Sequence, residues 1–359
     1  LCGGSTMRPQ ISSLEHGAHV VVGTPGRIMD HLQRASLDLA ALNTLVLDEA
    51  DRMLDMGFYD DIAYVAKACP KERQTLLFSA TYPEGIAGLA RQFLREPQQI
   101  TLHEQHEPGK IRQRFYEVAP DQKLAAVALL LHHYRPVSTL AFCNTRQQCR
   151  DLLQVLRAEG FVAMALHGEM EQRERDQVLI QFANRSCSVL VATDVAARGL
   201  DIDQLEAVIN VDVTPDTEIH VHRIGRTGRV DQEGWAFSLV SGHQMARVDN
   251  IEKELGHEIE WHLLSELQPA GKGRKPLLPP MATLLILGGR KEKIRPGDVL
   301  GALTGEAGYS KEQVGKIKVT ESSTYVAVER GIAKEAVRKL SAGTVKGKRV
   351  KVHLLPDQE

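Results

Sequence analysis

The 359-residue chain reads as an α/β protein: two parallel-sheet domains followed by a smaller β-α-β-β-α-β module. Three observations predict this. Short apolar runs alternate with stretches of helical periodicity, the pattern of strand–helix–strand units. Two polar breaks, HEQHEPGK at 103–110 and PAGKGRKPLLPP at 269–280, carry the Pro, Gly and charge of linkers. Beyond the second break the pattern changes to strands of period two around two short helices.

Taken in order, the first domain (1–107) places strands at 19–22, 44–47 and 75–78. The second (112–268) places them at 138–142, 162–165, 189–192, 207–211 and 235–240. Each is a short, largely apolar run, as expected where both sheet faces are covered. Between them, Leu152, Leu153, Val155 and Leu156, and then Val178, Leu179, Ile180 and Phe182, give helices over 147–158 and 171–183 their apolar faces. After a basic linker (269–280), the last module (281–357) begins with a strand at 283–289. A helix at 296–303 opened by Pro and Asp follows, then strands at 317–319 and 323–328, a helix at 332–340 and a final strand at 350–354.

Composition excludes several classes. Hydrophobic residues make up 43% and charged residues 25%, ordinary for a globular chain. No apolar run approaches the roughly 20 residues of a membrane span, and no basic-then-apolar secretory signal opens the sequence. Cys2, Cys69, Cys143, Cys149 and Cys187 form no C-x-x-C pair. They read as buried, inert, reduced thiols of a cytoplasmic protein. The net charge is −2, yet residues 272–359 hold 18 Lys and Arg against 9 Asp and Glu. A basic module on an acidic body is expected to meet a polyanion.

The strongest chemical signal is Asp48-Glu49-Ala50-Asp51, directly after the run Thr44-Leu45-Val46-Leu47. Open α/β sheets bind ligands beyond the carboxyl ends of their strands. Hydrolysis of a nucleoside triphosphate needs Mg²⁺ against phosphate oxygens and a carboxylate near the attacking water. Asp48 suits the metal, through a bound water, and Glu49 suits the attacking water. Acidic residues at strand ends also cap helices, so the tetrapeptide needs company. It has company in Gly3-Gly4, Thr24-Pro25-Gly26-Arg27, Ser79-Ala80-Thr81, Asn144-Thr145-Arg146, Gln172 to Arg175, Thr193-Asp194, Ala197 to Asp201, and His222 to Arg229 (HRIGRTGR). Three arginines spaced by glycines would be an uncompensated positive cluster unless an anion were expected.

Together these resemble the DEAD-box family of ATP-dependent RNA helicases, whose core is two RecA-like domains. The resemblance implies ATP and Mg²⁺ as ligands and structured RNA as partner. It implies that Asp48, Glu49, Arg226 and Arg229 are catalytic, and that Asp51, Ser79, Thr81 and His222 couple the motifs. It places Asp201, Arg226 and Arg229 at ATP, and Gly3, Gly4, Thr24, Pro25, Gly26, Arg27, Arg146, Arg175, Thr193 and Asp194 at RNA.

No G-x-x-x-x-G-K-[ST] phosphate loop occurs in the sequence. Leu1 stands where a start methionine would, so a cut end and an incomplete first domain are expected, with about a hundred residues missing. The lost strand would leave its neighbours with exposed apolar faces. The parent is then an enzyme and this chain is not.

The order β-α-β-β-α-β is that of an RNA-recognition-motif sheet, yet Tyr309 and Tyr325 are the module's only aromatics. Stacking on two or three rings is therefore not expected. Arg290, Lys291, Lys293, Arg295, Lys316, Lys318, Arg349 and Lys351, with Tyr325, are the candidate RNA contacts, chiefly to phosphates. The whole resembles the bacterial DbpA family, which implies a 23S ribosomal RNA hairpin as tether and remodelling of pre-large-subunit particles, with no membrane and no DNA. The competing expectation is a non-catalytic RNA-binding protein anchored by this module.

Overall fold

The computed structural model describes residues 1–79, 84–101, 111–197, 205–228, 233–256, 258–267 and 275–357. The chain divides into two compact units, Leu1–Glu104 and Gln105–Glu359.

In the first unit, strands β1 (Thr44–Leu47) and β2 (Gln74–Leu77) pair in parallel. They are accompanied by helices α1 (Met7–Leu14), α2 (Pro25–Gln33), α3 (Ala50–Asp55), α4 (Tyr59–Ala68) and α5 (Glu84–Phe93). Leu45, Leu47, Ile62, Ala66 and Leu89 form the core between sheet and helices. The other face of the sheet is open: Val46 and Phe78 are about half exposed. The strand expected at 19–22 is absent, and Val20 and Val22 are largely exposed. An extended segment becomes a strand only when a neighbour pairs with its amides, and β1 and β2 pair only with each other among the described residues.

The second unit opens with a seven-stranded parallel sheet in the order β5-β6-β4-β7-β8-β3-β9. Its strands and helices alternate: β3 (Ile111–Glu117), α6 (Lys123–Tyr134), β4 (Thr139–Cys143), α7 (Arg146–Ala158), β5 (Ala163–Leu166), α8 (Gln172–Ala183), β6 (Val189–Thr193) and the short α9 (Asp194–Ala197). They continue with β7 (Ala207–Asn210), α10 (Thr217–Ile224), β8 (Gly234–Val240), α11 (Met245–Leu255) and β9 (Trp261–His262). Both faces are covered. Ala141, Val189, Val191 and Ile209 pack towards one set of helices, and Leu140, Phe142, Leu190 and Val208 pack away from it. This two-sided burial is why β4, β6 and β7 are continuous apolar runs in the sequence.

The same unit ends with a four-stranded antiparallel sheet, β11-β12-β10-β13. Its elements run β10 (Met281–Leu287), α12 (Pro296–Gly301), β11 (Val314–Val319), β12 (Thr324–Glu329), α13 (Ala333–Ala342) and β13 (Lys351–Leu354), the expected β-α-β-β-α-β order. Alternate residues Leu284, Ile286, Val326 and Val328 meet Ala333, Ala336 and Leu340 in its core. Helix α12 is shorter than expected because residues 302–306 continue it as a wider π turn. The 103–110 linker lies outside the described residues. No described helix is long and apolar enough to cross a membrane.

Four cysteines are buried as expected, and burial pushes the Cys187 thiol up to about 12. Cys2 is exposed, contrary to expectation, because its segment lies on the surface of the small first unit.

Candidate functional site

In the first unit, the end of β1 delivers Asp48 and Glu49 to an exposed loop. The loop turns sharply: Glu49 has φ 50°, a left-handed conformation that side chains rarely adopt. Three interactions hold it there. The Glu49 N–H donates to Asp48 Oδ1 at 3.0 Å, Arg52 pairs with Glu49 at 2.5 Å, and the Asp51 N–H donates to Ser79 Oγ at 3.3 Å. The last of these joins the acidic tetrapeptide to the end of β2, and the Ala50 N–H donates to the Phe78 carbonyl at 3.0 Å alongside it. Thr81 lies outside the described residues.

A second cluster in this unit gathers the glycine pair and the TPGR turn. The Thr24 N–H donates to the Leu1 carbonyl at 3.1 Å, and Arg27 Nη1 donates to the Ser5 carbonyl at 3.0 Å. Gly3, Gly4, Thr24, Pro25, Gly26 and Arg27 are therefore neighbours although 19 residues separate Gly4 from Thr24. Gly4, at φ 72°, needs glycine's freedom. Pro25 opens α2, where its missing N–H costs nothing.

In the second unit, β6, β4 and β7 are adjacent, so the loops at their carboxyl ends meet. Those loops carry Asp194, Asn144 and Asp212. Helix α10, capped by Asp216, brings Arg223 into their midst. The Arg223 guanidinium is 2% exposed. It is bidentate to Asp194 at 2.6 and 2.7 Å, and it donates to Asn210 Oδ1 at 3.2 Å and to the Asp212 carbonyl at 2.9 Å. It also lies 5.0 Å over the Phe142 ring. Within the arginine cluster, Arg223 is thus compensated by the chain itself, and the Asp194 carboxylate, expected on the RNA side, is paired with this guanidinium while its side chain stays 23% exposed. The reason is topological: adjacent parallel strands place an acid beside a motif 29 residues away.

The other candidates on this unit occupy the same end of the sheet. His222 is exposed on α10 and Arg226 is partly exposed just beyond it. Thr227 bonds to the Leu205 carbonyl, which fixes the turn after Arg226. Arg146 pairs with Glu169 at 2.5 Å, and Arg150 shares that carboxylate at 2.9 Å. Arg175 donates to the Ala196 carbonyl at 3.4 Å, tying helix α8 to the short α9 after Thr193. Asp201 and Arg229 lie outside the described residues. Lys123, Asn144, Gln148 and Asp212, which complete the network around Arg223, were not foreseen. Only Asn144 had a signal, its place beside Arg146.

Three stretches match known families in order: DEAD/DEAH box helicase over residues 1–89, helicase conserved C-terminal domain over 122–231, and DbpA RNA binding domain over 283–354. Among relatives, the ATP-dependent RNA helicase DbpA of Escherichia coli is 47% identical over 99% of this chain and 77% of its own length. The Bacillus subtilis DbpA is 34% identical over 98% and 77%. The chain belongs to the DbpA family of DEAD-box ATP-dependent RNA helicases. Among solved structures, Saccharomyces cerevisiae Dbp5 bound to RNA and ADP BeF3 superposes with a TM-score of 0.64 at 30% identity, covering 69% of this chain and 66% of that one.

The DbpA RNA binding domain of this chain presents Arg290, Lys291, Lys293, Arg295, Lys316, Lys318, Arg349 and Lys351 to solvent. Two of its basic loops are tied together, Lys346 Nζ donating to the Lys293 carbonyl at 2.5 Å. Tyr325 departs from expectation. It is 7% exposed and packs with Ile180, Leu355 and Leu285 against helix α8, so its ring offers no stacking face here. Tyr309 is buried in the domain core. The sheet face away from α12 and α13 is thus docked on α8. Thr283 bonds to Asn184 at 3.1 Å and to Ser186 at 2.7 Å, and Arg330 reaches the Ser186 carbonyl at 3.4 Å.

Ile180→Asp would put a charge into this contact. The expected result is two calorimetric transitions for the second unit where the unsubstituted chain is expected to give one, with docking weakened by about 2 kcal/mol. One unchanged transition would show that the contact does not hold the two sheets together.

Proposed function

We propose that this chain is the greater part of an RNA-stimulated ATPase that remodels structured RNA in the cytoplasm, with 23S ribosomal RNA in the assembling large subunit as its substrate. The observation that carries the reading is the exposed Asp48–Glu49 pair at the end of β1, with its loop bonded to Ser79. A single open carboxylate with room for phosphate oxygens and water fits Mg²⁺, which is held by one or two carboxylates plus substrate phosphates. Asp48 would hold it, through water, and the ion would supply neutralisation of phosphate charge. Glu49 orients the attacking water. Arg226 and Arg229 meet the charge that develops on the transferred phosphoryl group. Asp201 takes the ribose. Ser79, Thr81 and His222 couple these groups to the RNA-facing residues Gly3, Gly4, Thr24 to Arg27, Arg146, Arg175 and Thr193.

The 359 residues contain no G-x-x-x-x-G-K-[ST] segment, whose amides and lysine cradle the phosphates. The chain by itself is therefore proposed to bind RNA without turning over ATP, and the second reading, an RNA-binding fragment, describes its behaviour in isolation. RNA-stimulated phosphate release is expected only when the chain is preceded by a segment bearing that loop, and Glu49→Gln should abolish it. Hydrolysis by the 359 residues alone would sink the inactivity reading. No hydrolysis by the extended protein would sink the enzyme.

For the tether, deleting residues 279–359 should lower affinity for a ribosomal hairpin by about tenfold or more and for unrelated RNA much less. Equal losses would count against ribosomal specificity. Replacing the RNA by DNA of the same sequence should weaken binding through loss of the 2′-hydroxyls.

A further inference from the structure

Beneath the arginine helix lies a buried cation that the proposed chemistry does not use. Lys123, the first residue of α6, is 3% exposed. Its ammonium donates to Asp212 Oδ1 at 2.6 Å, to Gln244 Oε1 at 2.6 Å and to the Leu239 carbonyl at 3.0 Å. All three of its protons are therefore used. The Asp212 carboxylate also accepts from Gln148 Nε2 at 2.5 Å and from Gln244 Nε2 at 3.1 Å. Gln148 in turn accepts the Asn144 N–H at 3.0 Å. The main chain of the same aspartate receives the Arg223 guanidinium.

One carboxylate thus joins four segments: the start of α6, the first turn of α7, the loop after β7 and the turn after β8. Burying an ammonium and a carboxylate does not by itself favour folding over an apolar pair of the same size. What such a pair adds is a fixed geometry, because its donors and acceptors are satisfied in one arrangement only. We propose that Lys123 is a positioning residue: by clamping Asp212 it sets the carbonyl that seats Arg223, and so fixes the attitude of α10 and the Arg226 turn. The proposal rests on the helicase reading for what α10 delivers, but not for the clamp itself.

The test reads the solvent exchange of the Arg223 Nε–H by nuclear magnetic resonance in the 359-residue chain, without nucleotide or RNA. In Lys123→Met, that proton is expected to exchange about tenfold faster or more while the amides of β4 and β6 stay within about twofold. Adding Asp212→Asn should restore most of the protection, since a neutral amide no longer needs the cation. A lysine that merely filled space would show further loss instead.

Unchanged Arg223 exchange in folded Lys123→Met, or a loss spread evenly over the sheet, overturns the proposal. Should Lys123→Met not fold, Gln148→Ala removes one donor from the partly exposed side of α7. It is expected to speed the same proton about threefold, and no change would overturn the proposal equally. Because no turnover is measured, failure of the extended protein to hydrolyse ATP would sink the helicase reading and leave this result standing.

Discussion

Arg223→Ala is expected to cost the second unit about 3–5 kcal/mol, the loss typical when one partner of a buried ion pair is removed. The side chain is fully enclosed and satisfies Asp194 bidentately together with Asn210 and the Asp212 carbonyl. Without it the Asp194 carboxylate, a buried amide and a backbone acceptor lose their donor at once. Arg223→Lys should recover little, because an ammonium cannot reproduce the planar fork that meets two carboxylate oxygens. Asp194→Asn keeps the shape while removing the charge, and should cost less than the alanine variant. Urea denaturation of each variant measures the differences. A loss below about 1 kcal/mol for Arg223→Ala would mean that water replaces the guanidinium without penalty. The network would then be decoration around an already rigid loop cluster. This prediction concerns folding, but its consequence is functional. Whatever loosens Arg223 loosens the helix that carries His222 and Arg226.

How much of this was legible beforehand follows from where the information sits. Strands β4, β6 and β7 could be read because both their faces are buried and their sequences are apolar throughout. Residues 19–22 have the same local composition but no pairing neighbour, and composition cannot report a missing partner. The acidic tetrapeptide, the TPGR turn and HRIGRTGR were legible as contiguous strings. The Arg223–Asp194 pair was not, since strand order brings together residues that the chain separates by 29 positions. Lys123 was less legible still. A lysine opening an apolar helix looks like any solvent-exposed first-turn residue, and only the parallel packing of β7 and β8 against α6 encloses it. Tyr325 shows the converse. As one of the module's two aromatics it was a candidate RNA contact, and only the docking of its sheet face on α8 removes it from solvent.

The second large effect concerns acid stability. His220, on the buried side of α10, has no hydrogen-bond partner at either ring nitrogen and stands 5.9 Å from the Phe115 ring. Desolvation, with the neighbouring Arg223 charge, lowers its pKa from 6.5 to about 4. An unfolded chain therefore takes up this proton first. The stability associated with the neutral ring is complete above pH 6.5 and is lost as the pH falls towards 4. At pH 5 the loss amounts to about 2 kcal/mol relative to pH 7. His220→Phe keeps an aromatic ring beside Phe115 and has nothing to protonate. Its stability should decline less steeply over the same interval, so that the difference between the two proteins grows by that amount from pH 7 to pH 5. The comparison cancels carboxylates such as Asp212, whose own pKa is lowered while burial is opposed by Lys123 and the two glutamines. Parallel stability curves would mean that a water enters beside the imidazole and satisfies it. The acid sensitivity of this domain would then have to come from the carboxylates instead. If the curves diverge as expected, the first element to yield in acid is α10, because His220 and Arg223 lie one turn apart on it and a charged imidazole would face a guanidinium already fully committed to Asp194.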